Sequence, residues 1–208
     1  MRKILLAVVL VLLLGWSSGA GATPYYDAVI SDNPVSYWRL GDAGGPAVDA
    51  VGGRSLTYEG SPNPGQLGAI ADDPNSATGF SGDRSALSVA ADAGLQAQTF
   101  SIEAWAKITG ACEYQGECYQ FIISQRSPIS AGYQLVFDPN NRWGIHLWGG
   151  SSLLGLETPP SELNEWAHLV GTYDGANLSF FINGSLIGST PSSFSWWARA
   201  KSPVGLAT

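Results

Sequence analysis

Acidic residues come first among the groups that could do chemistry, because hydrolysis of a glycosidic bond needs two carboxylates flanking the scissile bond. Glu103 stands in an apolar stretch, with no acidic residue two positions away on either side. Three further glutamates surround a Pro-Pro pair, which predicts a loop: Glu157, Glu162 and Glu165. Neither arrangement puts two carboxylates on one face of a strand. The sequence therefore predicts a domain that is not an enzyme.

The other catalytic patterns are equally poor. A catalytic zinc needs three protein ligands, whereas the sequence has two isolated histidines, His146 and His168, and no His-Glu-x-x-His. Residues 15–19 match the Gly-x-Ser-x-Gly nucleophile elbow, but they lie in an apolar N-terminal segment without the strand-turn-helix context of that motif. Neither zinc hydrolysis nor a serine nucleophile is predicted.

Aromatic residues give the best indication of a binding role, because their faces stack on sugar rings and the chain has eight tryptophans. His146 and Trp148 alternate onto one face of a predicted strand, with Arg142 on the same side. Trp196 lies in an apolar loop near the end of the chain. We predict that Arg142, His146, Trp148 and Trp196 bind a ligand. The alternative that Trp148 and Trp196 belong to the core stays open.

The two cysteines, Cys112 and Cys118, flank five residues. In an exported protein this pattern predicts a disulfide that closes a short loop between two strands. The alternative is a metal or redox role, which the spacing disfavours because it is not Cys-x-x-Cys and has no histidine nearby.

The N-terminus predicts export. Met1, Arg2 and Lys3 precede eleven apolar residues at 4–14, too few to span a bilayer, and the small residues at 20–22 are typical of a cleavage site. We therefore expect a signal peptide at 1–22 and one secreted or surface-exposed domain at 23–208 without membrane insertion, the alternative being an uncleaved anchor. Cleavage takes the formal net charge from −7 to −9. Such an acidic chain excludes nucleic acid as a partner.

The periodicity of the mature chain is that of strands. Residues 100–108 alternate cleanly between apolar and polar, and residues 165–188 predict a β-meander whose second turn is the two-residue hairpin Asn183-Gly184. Residues 35–40, 86–89, 120–124, 133–137 and 142–148 read as further strands, 23–34 as a polar lead-in and 61–74 as loop. Glu103 is expected to pair with Lys107 or a backbone group. The pattern predicts two packed antiparallel sheets.

Three motifs carry a family resemblance. Trp166-Ala167-His168 followed by Thr-Tyr-Asp-Gly at 172–175, Phe-Ser-Ile-Glu-Ala-Trp-Ala-Lys at 100–107, and Tyr-Trp-Arg-Leu-Gly-Asp at 37–42 resemble, in order and spacing, the laminin G-like (concanavalin A-like) domains. The resemblance covers residues 26–208. It implies an all-β fold, a two-sheet antiparallel jelly-roll sandwich, with Trp105 and Trp166 in its core.

The resemblance also implies a possible cofactor and a missing segment. Laminin G-like domains often hold a calcium ion, and the matching positions here are Asp42, Asp49 and Asp83, with Asp174 behind them; the alternative is that these residues only form turns. The sequence stops before the family's closing Gly-x-[Ile/Val]-Asp-Glu-[Val/Ile] strand. It therefore implies a C-terminally incomplete domain belonging to a larger multidomain protein.

The resemblance implies more than one function. The predicted function is a non-catalytic extracellular module that binds a glycan or an extracellular protein. The alternatives are a concanavalin A-like glycosidase or polysaccharide lyase, and a structural spacer. The Glu-x-Asp-x-x-Glu string of the resembling β-glucanases is absent from the sequence.

Overall fold

A computed structural model describes residues 23–81, 85–110, 118–126, 131–149, 152–195 and 204–206. Its elements are α1 (Pro24–Ser31), a 3-10 turn (Ala93–Leu95) and thirteen strands. The strands are β1 (Thr57–Glu59), β2 (Asn63–Gln66), β3 (Ala77–Gly79), β4 (Ala86–Val89), β5 (Phe100–Ala106), β6 (Gln120–Arg126), β7 (Gly132–Phe137), β8 (Trp143–Gly149), β9 (Ser152–Glu157), β10 (Ala167–Tyr173), β11 (Asn177–Ile182), β12 (Ser185–Pro191) and β13 (Val204–Leu206).

Two antiparallel sheets make up most of the described structure. A seven-stranded sheet has the order β1-β4-β13-β6-β7-β8-β9, and a four-stranded sheet has the order β12-β11-β10-β5. β13 lies between β4 and β6, pairing with both, so it joins the early strands of the large sheet to the later ones. β2 and β3 form a separate pair. The predicted antiparallel jelly-roll sandwich is confirmed.

The core lies between the two sheets. Leu135, Ile145, Leu169 and Phe180 have no exposed surface and belong to one cluster that draws side chains from both layers. The exposure of β10 alternates strictly, with odd-numbered residues buried and even-numbered ones half-buried, as expected for a strand with one face on the core. The opposite face of each sheet is thereby left to present other chemistry.

Local turn chemistry also matches the sequence prediction. Asn183 and Gly184 have φ values of 49° and 77°, the pair of positive angles that a type I′ hairpin requires. Gly171 lets the sheets approach each other, because a Cβ there would lie 2.1 Å from Cδ1 of Ile145. The β-meander of residues 165–188 is confirmed as β10, β11 and β12.

The beginning of the domain differs from the prediction. Residues 23–34, expected to be a polar lead-in, contain α1. Thr23 caps this helix by accepting a hydrogen bond from the backbone N–H of Tyr26, and Pro24 occupies the first turn, where its missing N–H costs nothing. Both signals are in the sequence, but the segment lacks the apolar stripe of a buried helix, and none of its residues is buried.

The predicted strand at residues 35–40 is wrong. The segment makes a single isolated bridge, between Trp38 and Asp49. Leu40 has a φ of 57°, a left-handed conformation that ends any extended run. Trp38 is instead fixed by its indole N–H, which donates to the carbonyl oxygen of Arg54 at 2.7 Å.

Strands β1, β2, β3 and β9 were not predicted from the sequence. β2 lies inside the predicted loop at 61–74 and pairs with β3 through a register irregularity beside Pro64, whose ring removes one ladder donor. β9 pairs with β8 along its length.

Trp105 and Trp166, expected in the core, are half-buried and lie outside the core clusters; the ring of Trp166 faces the Lys107 ammonium at 5.1 Å.

Candidate functional site

A row of polar and small residues crosses four strands on the outer face of the seven-stranded sheet. Ser124, Gln134, His146 and Gly155 are register partners on β6, β7, β8 and β9. Because Leu135 and Ile145 point into the core, their neighbours in sequence point away from it. We call this row and the side chains that contact it the outer-face site.

A chain of hydrogen bonds fixes one end of the outer-face site. The Trp148 indole N–H donates to Oε1 of Gln134 at 2.9 Å, and Nε2 of Gln134 donates to Oγ of Ser124 at 3.0 Å. Gln134 is only 5% exposed, so both polar ends of its amide need the partners they have. The indole ring of Trp148, half-buried, is thus held in one orientation over the sheet.

An ion pair between the partly exposed Arg142 and the buried Asp138 fixes the other end. Arg142 donates from Nε to Oδ2 of Asp138 at 2.7 Å, and its Nη2 lies 2.5 Å from the same oxygen. Burial opposes ionisation of Asp138, but the Arg142 guanidinium and the backbone N–H groups of Arg142 and Asn140 outweigh it and lower its pKa. Nη1 of Arg142 lies 3.8 Å from Oε2 of Glu157, whose side chain is 31% exposed.

His146 lies between these two ends. It is 4% exposed, its Nε2 is 3.4 Å from Oε1 of Glu157, and the ring of Tyr119 meets it edge-on at 5.6 Å. Gly155 makes this packing possible, since a Cβ there would lie 3.0 Å from Oε1 of Glu157 and 3.1 Å from the imidazole. Burial lowers the pKa of His146, and the Glu157 carboxylate only partly offsets that effect.

The lowered pKa of His146 predicts a pH dependence of stability. Below the unfolded-state pKa of about 6.5, His146 is protonated in the unfolded chain but stays neutral in the folded protein. The unfolded state therefore binds more protons, and the free energy of unfolding falls as the pH drops. The fall ends when the folded imidazole is protonated too. Urea unfolding between pH 8 and 5 measures it. His146→Gln should flatten the profile between pH 7 and 5, and an unchanged slope in that variant would contradict the assignment.

A second polar cluster lies on the outer face of the four-stranded sheet. Oε1 of Glu103 accepts a hydrogen bond from the Tyr25 hydroxyl of α1 at 2.6 Å and lies 2.8 Å from Nε2 of His168. The His168 contact, with help from Tyr25, lowers the pKa of Glu103 against its burial. Trp105 stacks on the His168 ring at 4.8 Å. The expected pairing of Glu103 with Lys107 or a backbone group is wrong, because its carboxylate contacts Tyr25 and His168 instead. Both partners come from segments distant in sequence.

Two of the predicted calcium ligands have backbone partners. Asp49, 7% exposed, accepts hydrogen bonds from the backbone N–H groups of Tyr37, Val51 and Arg54 at 2.9–3.1 Å. Oδ2 of Asp42 accepts one from Val48. Within the described ranges no three His, Cys, Asp or Glu residues form a group that could hold a metal ion. Asp83 lies outside the described residues, so calcium stays a prediction.

Other predictions also fall on parts of the chain that are not described: Trp196, Cys112 and the signal peptide at 1–22. The disulfide between Cys112 and Cys118 therefore stays a prediction. Within the described part, Arg142, His146 and Trp148 share one face, as the alternation of β8 predicted. Sequence reasoning missed Gln134, Asp138, Glu157 and Tyr119. The first three could have been found only by knowing the register of β7 and β9 against β8.

The two-sheet antiparallel jelly roll is a fold that this chain shares with known proteins. A model of the concanavalin A-like lectin/glucanases superfamily, laminin G type, matches residues 80–207, and the chain belongs to this family. No curated protein sequence matches this chain. No helix in the described part of the chain is long and apolar enough to cross a bilayer.

Solved structures share the fold at low sequence identity. The binding domain of Paraclostridial Mosquitocidal Protein 1 is 13% identical, with a TM-score of 0.61 over 82% of this chain. A botulinum neurotoxin type C structure, reported for its interaction with two ganglioside molecules, is 15% identical, with a TM-score of 0.52 over 83%. The binding domain of botulinum neurotoxin DC, in complex with rat synaptotagmin II, is 16% identical, with a TM-score of 0.51 over 82%. This chain spans 42–44% of those chains.

Proposed function

We propose that this chain is a non-catalytic, extracellular carbohydrate-binding module and that the outer-face site holds the sugar. The observation that carries the proposal is the mixture of groups on that face. Planar polar side chains from Gln134, His146 and Glu157 stand beside the aromatic rings of Tyr119 and Trp148. A sugar offers a ring face with C–H groups and a rim of hydroxyls, so it needs both kinds of partner.

The rigidity of the face favours binding. Gln134, His146 and Asp138 are each no more than 5% exposed and are oriented by hydrogen bonds or close polar contacts, so a ligand need not order them. Tyr119 is 40% exposed and lies edge-on to His146, which leaves ring surface open to solvent. An exposed aromatic ring next to preorganised polar groups is the arrangement that a stacking sugar can use.

The charges on this face support binding over hydrolysis. A glycosidase needs one acid and one base or nucleophile, both able to reach the substrate. Asp138 has its oxygens occupied by Arg142 and by backbone N–H groups and is 3% exposed, which leaves Glu157 as the accessible carboxylate among the described residues of this site. Reducing-sugar release from glucan or galactan panels would contradict the non-catalytic proposal.

Secretion belongs to the same proposal. A sugar-binding role outside the cell fits the predicted signal peptide at 1–22 and the predicted disulfide between Cys112 and Cys118. Mass spectrometry of the exported protein should find a mature N-terminus at Thr23 and no free thiol. A retained N-terminal segment would favour the anchor alternative.

A glycan array followed by titration calorimetry tests the proposed site. We expect binding to at least one glycan class, and Tyr119→Ala and Trp148→Ala should each weaken it about tenfold, equivalent to about 1.4 kcal/mol. Phe181→Ala is the matched control, since Phe181 lies on the four-stranded sheet and its partners in register are Val170 and Leu186. An empty array would reject carbohydrate binding and favour an extracellular protein partner or a spacer role. Equal losses in all three variants would reject the outer-face site.

A further inference from the structure

The guanidinium of Arg142 is already committed to an internal partner. Its Nε and Nη2 both engage Asp138, which is 3% exposed, and this hydrogen bonding raises the pKa of Arg142. Breaking such a pair to engage a ligand carboxylate would leave a buried charge unpaired, which is strongly unfavourable. Arg142, the one cation described in the outer-face site, is 34% exposed and keeps only Nη1 for a ligand, and this nitrogen lies 3.8 Å from Oε2 of Glu157.

Glu157 is the carboxylate of the described site that a ligand would meet. Its side chain is 31% exposed. The Cγ atom of Glu157 lies over Gly144, where a Cβ would be 3.1 Å away from it. The carboxylate reaches His146 through the space that Gly155 leaves without a side chain. Asp138, Glu157 and Arg142 together carry one net negative charge, and His146, whose pKa burial lowers, is neutral at pH 7.

The backbone of Arg126, on β6 of the same sheet, lies far from Glu157. Arg126 is paired with Gly132, whose partner on β8 is Trp148, whereas Glu157 is paired with Gly144. Three strand spacings and four residues along the strand separate Arg126 from Glu157, roughly 19 Å between backbones. That backbone separation is about two Debye lengths at physiological salt.

We propose that the outer-face site selects uncharged sugars over acidic ones and that Glu157 is the residue that determines this specificity. The inference rests on the proposed carbohydrate-binding function. The Glu157 carboxylate accepts hydrogen bonds from hydroxyl groups of a neutral ring. It repels a ring carrying a carboxylate, because the charge of Arg142, the one cation described in this site, is already offset by Asp138.

The test uses pairs of hexasaccharides that differ only in charge. Galacto-, gluco- and manno-oligosaccharides are compared by calorimetry with the oligogalacturonate, oligoglucuronate and oligomannuronate of the same linkage. Because every ring of the acidic member carries a C6 carboxylate, any ring that occupies the site brings a carboxylate with it. We expect the neutral member of a bound pair to bind at least about tenfold more tightly.

Variants assign the effect to one residue. Glu157→Gln keeps the shape and removes the charge, so the neutral-to-acidic affinity ratio should fall to about threefold or less. Asp27→Asn, on the exposed side of α1, removes the same charge elsewhere and should leave the ratio unchanged. Raising the salt concentration should shrink the wild-type ratio.

The outcomes separate this inference from the proposed function. Acidic members that bind as tightly as neutral ones, or a ratio that Glu157→Gln does not change, would overturn the assignment of Glu157 while carbohydrate binding stands. So would an array whose ligands are all acidic. An array without any glycan ligand overturns the proposed function, and this inference with it.

Discussion

Replacing Phe180 by alanine should lower the free energy of unfolding by about 3–5 kcal/mol. Phe180 has no exposed surface and packs between the two sheets, opposite Gly171 on β10. Truncation loses the transfer free energy of the ring and leaves a cavity, because Leu135 and Ile145 are held in place by the strands that carry them. Urea unfolding followed by tryptophan fluorescence measures the loss.

The next residue along β11 is the matched control for Phe180. Phe181 has the same side chain but points away from the core and is half-buried. Phe181→Ala should cost less than about 2 kcal/mol, since it vacates less buried surface and leaves no internal cavity. Equal losses in the two variants would contradict the assignment of the inner and outer faces of the four-stranded sheet.

Replacing Asp49 by alanine should cost about 3 kcal/mol or more, because it leaves several backbone donors without an acceptor. Asp49 is 7% exposed and accepts from the N–H groups of Tyr37, Val51 and Arg54, which ties the segment after α1 to the turn before β1. Burial opposes the ionised form, but these N–H groups outweigh it and lower the pKa of Asp49. Its stabilisation is therefore present above about pH 4 and lost as the pH falls through the lowered pKa.

Asp42 provides the comparison for Asp49. Both are predicted calcium ligands, but Asp42 accepts one hydrogen bond of 3.2 Å, from Val48, and Asp42→Asn should change the free energy of unfolding by less than about 1 kcal/mol. Melting temperatures with calcium and with EDTA complete the test. If Asp49 acts only through the backbone, its variant loses the same stability in both solutions. A calcium-dependent difference would show that the carboxylate also serves a metal.

Features set by neighbouring residues could be predicted from the sequence. β4 was predicted to the residue, and the hairpin at Asn183-Gly184 has the expected backbone angles. The exposure of β10 alternates because period-two patterning reflects one buried face. The placement of Arg142, His146 and Trp148 on one side of β8 followed from the same rule.

Contacts between distant segments could not be predicted in this way. Glu103 contacts Tyr25 and His168, which lie 78 and 65 residues away from it in the sequence. Glu157 reaches His146 because β9 and β8 pair in one register, and a shift by one residue would point it at the core. α1 was missed for another reason, since its cap at Thr23 was visible but its exposed surface lacks a hydrophobic stripe.

The central position of β13 has a consequence for biosynthesis. Val204–Leu206 pairs with β4 on one side and β6 on the other. The ribosome synthesises β4 and β6 long before β13. Until residue 206 has been synthesised, β4 and β6 therefore each keep an unpaired strand edge. Unpaired strand edges can pair with other chains, so aggregation during synthesis should be greatest for translation products that end before residue 204.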